Sequence, residues 1–108
     1  LFQPRELDGM QFEIGNLSFA PANKMLCDID SDSVQTLTEK ETTILKFLYQ
    51  AFPGDISKAH ILAEVWGLQN TVSTHTLETH IYRLRQKISL LTDKQLVLTT
   101  ENGYRLAD

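Results

Sequence analysis

The stretch Thr74-His75-Thr76-Leu77-Glu78-Thr79-His80-Ile81-Tyr82-Arg83-Leu84-Arg85-Gln86-Lys87-Ile88 decides how the rest of the chain is read. Leu77, Ile81, Leu84 and Ile88 follow one another at spacings of four, three and four. At about 100° per residue they fall on one narrow stripe, which predicts a helix with a single apolar edge. Ser73 or Thr74 is placed to cap it. Its length is about 22 Å at 1.5 Å per residue. Opposite the stripe lie His75, Thr79, Tyr82, Arg83 and Gln86, with Arg85 flanking one side and His80 and Lys87 the other. Arg83, Arg85 and Lys87 face one acid, Glu78, although the 108 residues carry a formal net charge of −4. An acidic chain has gathered positive charge on one helix.

The charge is divided along the chain. Residues 1–56 hold nine acids and four bases, net −5, and residues 57–108 hold five acids and six bases, net +1. Binding to nucleic acid requires local positive potential near phosphates rather than a basic average. The length suits one compact domain, and 42% hydrophobic with 22% charged residues is ordinary for a globular fold. No apolar run approaches the roughly 18 residues of a membrane span, and no signal-peptide pattern is present. The chain begins at Leu1 rather than Met, so a fragment of a longer protein is expected. Cys27 stands alone between Leu26 and Asp28 and reads as a half-buried strand thiol; the absence of disulfides fits a reducing cytoplasm.

Upstream, residues 1–8 read as a tail or interdomain linker and residues 9–36 as β-structure. Runs at Gln11–Ile14 and Leu17–Ala20 alternate polar and apolar side chains, and further short strands are expected at Met25–Asp28 and Val34–Thr36. Gly15-Asn16, Pro21-Ala22-Asn23 and Asp30-Ser31-Asp32 supply turns, predicting a four-stranded antiparallel meander. Thr38-Glu39-Lys40-Glu41 is a capping box, and Ile44, Leu45, Phe47, Leu48 and Ala51 form the apolar stripe of a first helix stopped by Pro53-Gly54. Ser57 is an N-cap for a second helix whose buried face is Ile61, Leu62, Val65 and Trp66, with Gly67 expected as a left-handed cap. Residues 68–73 carry no charge and read as a loop. After the third helix, Leu96–Thr100 and Tyr104–Leu106 flank an Asn102-Gly103 hairpin signal.

Four strands, three helices (residues 37–90) and a terminal hairpin (96–107) make an α+β domain whose last helix is polar and basic on its outer face. A helix of this kind fits the major groove of B-DNA, where Arg, Gln and Thr read base edges. Other chemistry is poorly supported. His75 and His80 lie roughly 140° apart on the helix and cannot share a metal. His60 is most simply a surface residue. Asp28, Asp30 and Asp32 lack the Gly and distal Glu of a calcium loop. No phosphate loop, nucleophile elbow or carboxylate pair stands out, so neither an enzyme nor a cofactor is expected.

From Leu37 to Leu106 the chain resembles the winged-helix effector domain of OmpR/PhoB-type bacterial response regulators. The resemblance is carried by Leu37-Thr38-Glu39-Lys40-Glu41, Ile56-Ser57-Lys58, Glu64-Val65-Trp66-Gly67, residues 76–87 and Gly103-Tyr104-Arg105-Leu106, with the amino-terminal β run matching the family's four-stranded sheet. It implies a cytoplasmic transcription regulator that binds double-stranded DNA, often as a head-to-tail pair on direct repeats. Positions matching Thr79 and Arg83 are expected near bases, and those matching Thr76, His80, Tyr82, Arg85 and Lys87 near bases or phosphates. His75 and Gln86 share the outward face. The wing, with Thr100, Asn102, Tyr104 and Arg105, is expected to add backbone contacts. It carries Glu101 where the family often has an Arg reaching the minor groove. The loop of Leu68, Gln69, Asn70, Thr71, Val72 and Ser73 corresponds to a segment thought to touch RNA polymerase. A receiver domain controlled by a sensor kinase is expected ahead of the domain, which is itself expected to be monomeric off DNA. The rival reading is a winged-helix protein-interaction module with weak or no DNA binding, motivated by the acidic first half and the missing wing Arg.

Overall fold

The computed structural model describes residues 11–67 and 72–107. The expected tail at 1–8, and Leu68, Gln69, Asn70 and Thr71 of the expected polymerase loop, lie outside the described residues. The chain runs through β1 (Phe12–Ile14), β2 (Leu17–Ala20), β3 (Met25–Asp28), β4 (Val34–Thr36), α1 (Glu39–Ala51), β5 (Ile56–Ser57), α2 (Lys58–Trp66), α3 (Thr74–Ser89), β6 (Val97–Thr99) and β7 (Gly103–Leu106).

The first four strands pair antiparallel in sequence order, as the alternating pattern predicts. Ile14 pairs with Leu17 across a two-residue loop, and Gly15 at its first position takes φ +60°. That left-handed value is one a side chain rarely adopts, and a hairpin this short needs it. Pro21–Asn23 forms a single 3-10 turn between β2 and β3. Ile14, Leu17, Phe19 and Leu26 point inward and are buried. Asp28 closes the β3–β4 loop by accepting from the Asp30 amide at 3.1 Å and the Ser31 hydroxyl at 2.8 Å. The Asp28 carboxylate therefore serves local geometry.

α1 begins with the capping box read from the sequence. Thr38 Oγ1 accepts from the Glu41 amide at 3.1 Å, and Glu41 Oε1 accepts from the Thr38 amide at 2.9 Å. Ile44, Leu45 and Leu48 bury its inner face, while Phe47 and Ala51 pack at the margin. A Leu48→Ala change here is worth about 2–5 kcal/mol of lost packing. Ser57 caps α2 by accepting from the His60 amide at 3.0 Å. Only Ile61 of that helix is fully buried; Leu62, Val65 and Trp66 pack partly buried against the core. Trp66 packs on the core as expected, at its margin, with its ring 5.3 Å from the His80 ring and 5.5 Å from Lys40 Nζ. Gly67 ends the helix at φ 98°, ψ 157°, an extended mirror-image conformation rather than the expected left-handed helical cap. Among the described residues, no helix is long and apolar enough to cross a membrane.

The terminal hairpin belongs to a three-stranded sheet in the order β5-β7-β6. The sequence reading missed β5, because a two-residue strand that ends on the N-cap of α2 carries no periodicity. It also expected Asn102-Gly103 to form the turn, but Gly103 lies inside β7 and pairs with Ser57. A Cβ on Gly103 would stand 2.0 Å from the Ile56 carbonyl oxygen. The glycine is there because β5 crosses too closely for any side chain, not to supply a positive φ.

Candidate nucleic-acid interface

α3 is held from below by its apolar stripe. Leu77, Ile81, Leu84 and Ile88 are each no more than 3% exposed and join the core formed by α1, the first sheet and the wing. Burying four such side chains contributes about 1.5–3 kcal/mol each before chain entropy is counted. The helix is therefore anchored along its 16 residues, and its polar face points away from the protein.

That face contains His75, Tyr82, Arg83 and Gln86, all exposed, with Thr76 and Thr79 half-buried beside them. Tyr82 is 62% exposed, an unusual degree for an aromatic ring of its size. Its Oη accepts from Gln86 Nε2 at 3.2 Å, one turn on. Thr79 Oγ1 donates to the His75 carbonyl at 3.0 Å. Glu78, the acid of this helix, is paired with Lys58 Nζ of α2 at 3.2 Å. Arg83 has no side-chain partner among the described residues, which leaves a solvated cation at the middle of the face.

Four other expected contacts have partners inside the molecule. Lys87 Nζ lies 2.6 Å from Glu41 Oε1, and the Glu41 side chain is 1% exposed. Arg85 Nε donates to the Val97 carbonyl at 3.0 Å and its Nη2 to Thr99 Oγ1 at 2.7 Å. His80 packs its ring on Trp66, and its buried Nδ1 has no hydrogen-bond partner among the described residues. Burial pushes the His80 pKa below the ordinary imidazole value, and the charges of Arg83 and Lys40 push the same way against Glu41. Tyr104 is 3% exposed, with its ring beneath Lys58 Nζ and the Arg85 guanidinium, each 5.7 Å from the centroid.

The wing tip projects beside this face. Thr100 Oγ1 donates to Asp55 Oδ2 at 2.8 Å and accepts from the Gly103 amide at 3.0 Å. Asn102 is exposed, and its carbonyl accepts from the Lys58 amide at 3.4 Å. Arg105 is half-buried on the far strand, with Nη1 donating to the Leu106 carbonyl at 3.2 Å. Sequence reasoning did not single out Lys58. It joins the start of α2 to α3 and sits over Tyr104, a position set by the β5 crossing that periodicity does not disclose. Of the expected polymerase loop, Val72 is half-buried and Ser73 exposed, while residues 68–71 lie outside the described residues.

The sequence profile of the family described as "Transcriptional regulatory protein, C terminal" matches residues 32–106. An uncharacterized transcriptional regulatory protein of Bacillus subtilis, YclJ, is 34% identical over 78 residues, covering 71% of this chain and 34% of that protein. The regulatory protein VanRB of Enterococcus faecalis is 31% identical over 100 residues, covering 91% of this chain and 42% of that protein. The chain thus spans well under half the length of these relatives. Among solved structures, the DNA-binding domain of CpxR from E. coli superposes with a TM-score of 0.72 at 26% identity, over 90% of this chain and 95% of that one. The DNA-binding domain of E. coli CadC superposes with a TM-score of 0.77 at 19% identity, over 91% and 94%, a likeness of fold alone.

Proposed function

The chain belongs to the family of transcriptional regulatory protein C-terminal domains, the OmpR/PhoB-type effector domains of response regulators, and we propose that it reads double-stranded DNA by inserting α3 into the major groove. The observation that carries this reading is the composition of the face opposite the buried stripe: Arg83 unpaired at its centre, flanked by His75, Thr79, Tyr82 and Gln86. A guanidinium free of protein partners is suited to the paired acceptors of guanine in the major groove, and Gln86 to adenine. Thr76, Thr100 and Asn102 lie at the edges, where hydroxyl and amide groups meet phosphates. The pairing of Glu78 with Lys58 supports the same reading, because it offsets the acid that would otherwise repel the backbone.

Family membership supports a wider reading, which we propose with it. The domain serves as the output of a two-component system in the cytoplasm, with a receiver domain and its sensor kinase upstream. Paired copies occupy direct repeats, and the loop at residues 68–73 meets RNA polymerase. The family's role is regulatory, and no catalytic step is assigned to the chain.

The test is selection of bound sequences from a random duplex library at two salt concentrations. Enrichment of a motif, repeated at about one helical turn, is expected. Salt-sensitive binding without enrichment reduces the reading to non-specific attachment. Absence of binding at low salt by folded protein overturns it in favour of a protein-interaction module.

A further inference from the structure

Arg85 lies on the basic helix, yet its side chain turns back toward the wing. The hydrogen-bond pattern of β6 explains what it meets there. The Thr100 amide donates to the Gly103 carbonyl and the Ala107 amide to the Leu96 carbonyl. In an antiparallel ladder this alternation leaves the backbone groups of Val97 and Thr99 facing away from β7. β6 is also the edge strand of its sheet. Its outward Val97 carbonyl needs a donor, and Arg85 Nε supplies one at 3.0 Å. Nη2 reaches the Thr99 hydroxyl at 2.7 Å, so one planar fork spans two residues of the strand. The guanidinium carbon stands 5.7 Å from the centroid of Tyr104, which pairs with Thr99 across the hairpin. One side chain of α3 thus holds both strands of the wing.

We propose, resting on the DNA-binding reading above, that Arg85 is a positioning residue that fixes the wing against α3 and does not neutralise a phosphate. Three features of the geometry support it. The fork is used in two directions at once, by contacts that a flexible lysine ammonium does not reproduce. The strand edge it covers has no other donor at Val97 among the described residues. The contact also couples the two parts that must meet DNA together, since α3 enters the groove and the wing lies along the adjacent backbone.

A phosphate contact and a strut differ in their response to salt. Each phosphate neutralised adds about one unit to the slope of log K against log salt. The experiment measures that slope, with a duplex recovered from the random library, for the wild type and for Arg85→Ala, Arg85→Lys and Thr99→Val. The strut predicts that Arg85→Ala weakens binding about tenfold with the slope unchanged. Lysine does not rescue it, and Thr99→Val, which removes no charge, weakens binding in the same direction. Effects that do not add in the Arg85→Ala, Thr99→Val double variant complete the expected result. A slope smaller by about one unit in Arg85→Ala, restored by lysine, with Thr99→Val silent, overturns the proposal while leaving the DNA-binding reading intact.

Amide hydrogen exchange on the DNA-free domain supplies an independent arm. Faster exchange confined to β6 and β7 in Arg85→Ala and Thr99→Val is expected. Unchanged exchange there overturns the strut even if the wild type binds no duplex, an outcome that would separately remove the functional reading. Thr99→Val keeps the test open should the arginine variants fail to fold.

Discussion

Lys87 Nζ lies 2.6 Å from Glu41 Oε1, and this ion pair joins the last turn of α3 to the first turn of α1. The same carboxylate oxygen accepts from the Thr38 amide, so one buried group closes a capping box and receives a lysine at once. The pair is a construction joint of the domain. It sets where the basic helix sits relative to the core.

Removing the lysine leaves a carboxylate that is almost wholly out of water and uncompensated. Lys87→Met is therefore expected to cost about 2–4 kcal/mol, near the lower part of the range for breaking a buried pair because Lys87 itself keeps some solvent contact. Urea unfolding monitored by circular dichroism measures it. A loss under about 0.5 kcal/mol, typical of a surface pair, would mean that the contact is incidental.

Gly103→Ala is expected to be more damaging than its single methyl suggests. The added Cβ has 2.0 Å to the Ile56 oxygen and 2.9 Å to the Ser57 Cα, both backbone atoms that cannot rotate aside. Relief requires β5 and β7 to part, with loss of their pairing at Ile56–Tyr104 and Ser57–Gly103. A destabilisation of about 3 kcal/mol or more is expected in thermal or urea unfolding. A near-neutral alanine would show that β5 can draw away from β7 at little cost.

These two positions show what the sequence discloses and what it does not. The Thr38–Glu41 box and the Leu77, Ile81, Leu84, Ile88 stripe were legible because they are local, with partners three or four residues apart. The exposed cluster of Tyr82, Arg83 and Gln86 followed from the stripe by geometry. Lys87 and Arg85 share the helix and the charge of Arg83, yet their partners stand far away in sequence, at Glu41 and at Val97 and Thr99. Helical periodicity tells which way a side chain leaves the helix axis, not how far a long one bends back. Gly103 was misread for the same reason: the constraint on it comes from Ile56, on another element.

Arg83→Ala tests the centre of the reading face. The side chain is exposed and free of partners among the described residues, so folding stability is expected to change by no more than about 0.5 kcal/mol. Affinity for the selected duplex is expected to fall by about 1–3 kcal/mol, with specificity relaxed at the base pair that Arg83 reads. Titration against the selected site and single-base variants measures both. Equal affinity for wild type and Arg83→Ala would remove Arg83 from the interface.

His80 gives the domain a defined acid sensitivity. Its folded-state pKa lies below the ordinary value of 6.5, chiefly through burial, then through Arg83 and Lys40, with Glu41 opposing. The unfolded chain therefore takes up the proton first, and protons favour unfolding. Stability from the neutral ring is complete above about pH 6.5 and is lost as pH falls through the folded value. His80→Phe keeps a ring against Trp66 but cannot titrate. Wild-type stability is expected to fall relative to this variant as the pH drops below about 6.5, which unfolding midpoints measured side by side detect. Parallel curves for the two proteins would show that His80 is protonated as easily in the fold as out of it. Arg83→Ala removes a repelling charge and is expected to raise the His80 pKa, read directly by NMR titration of the imidazole protons.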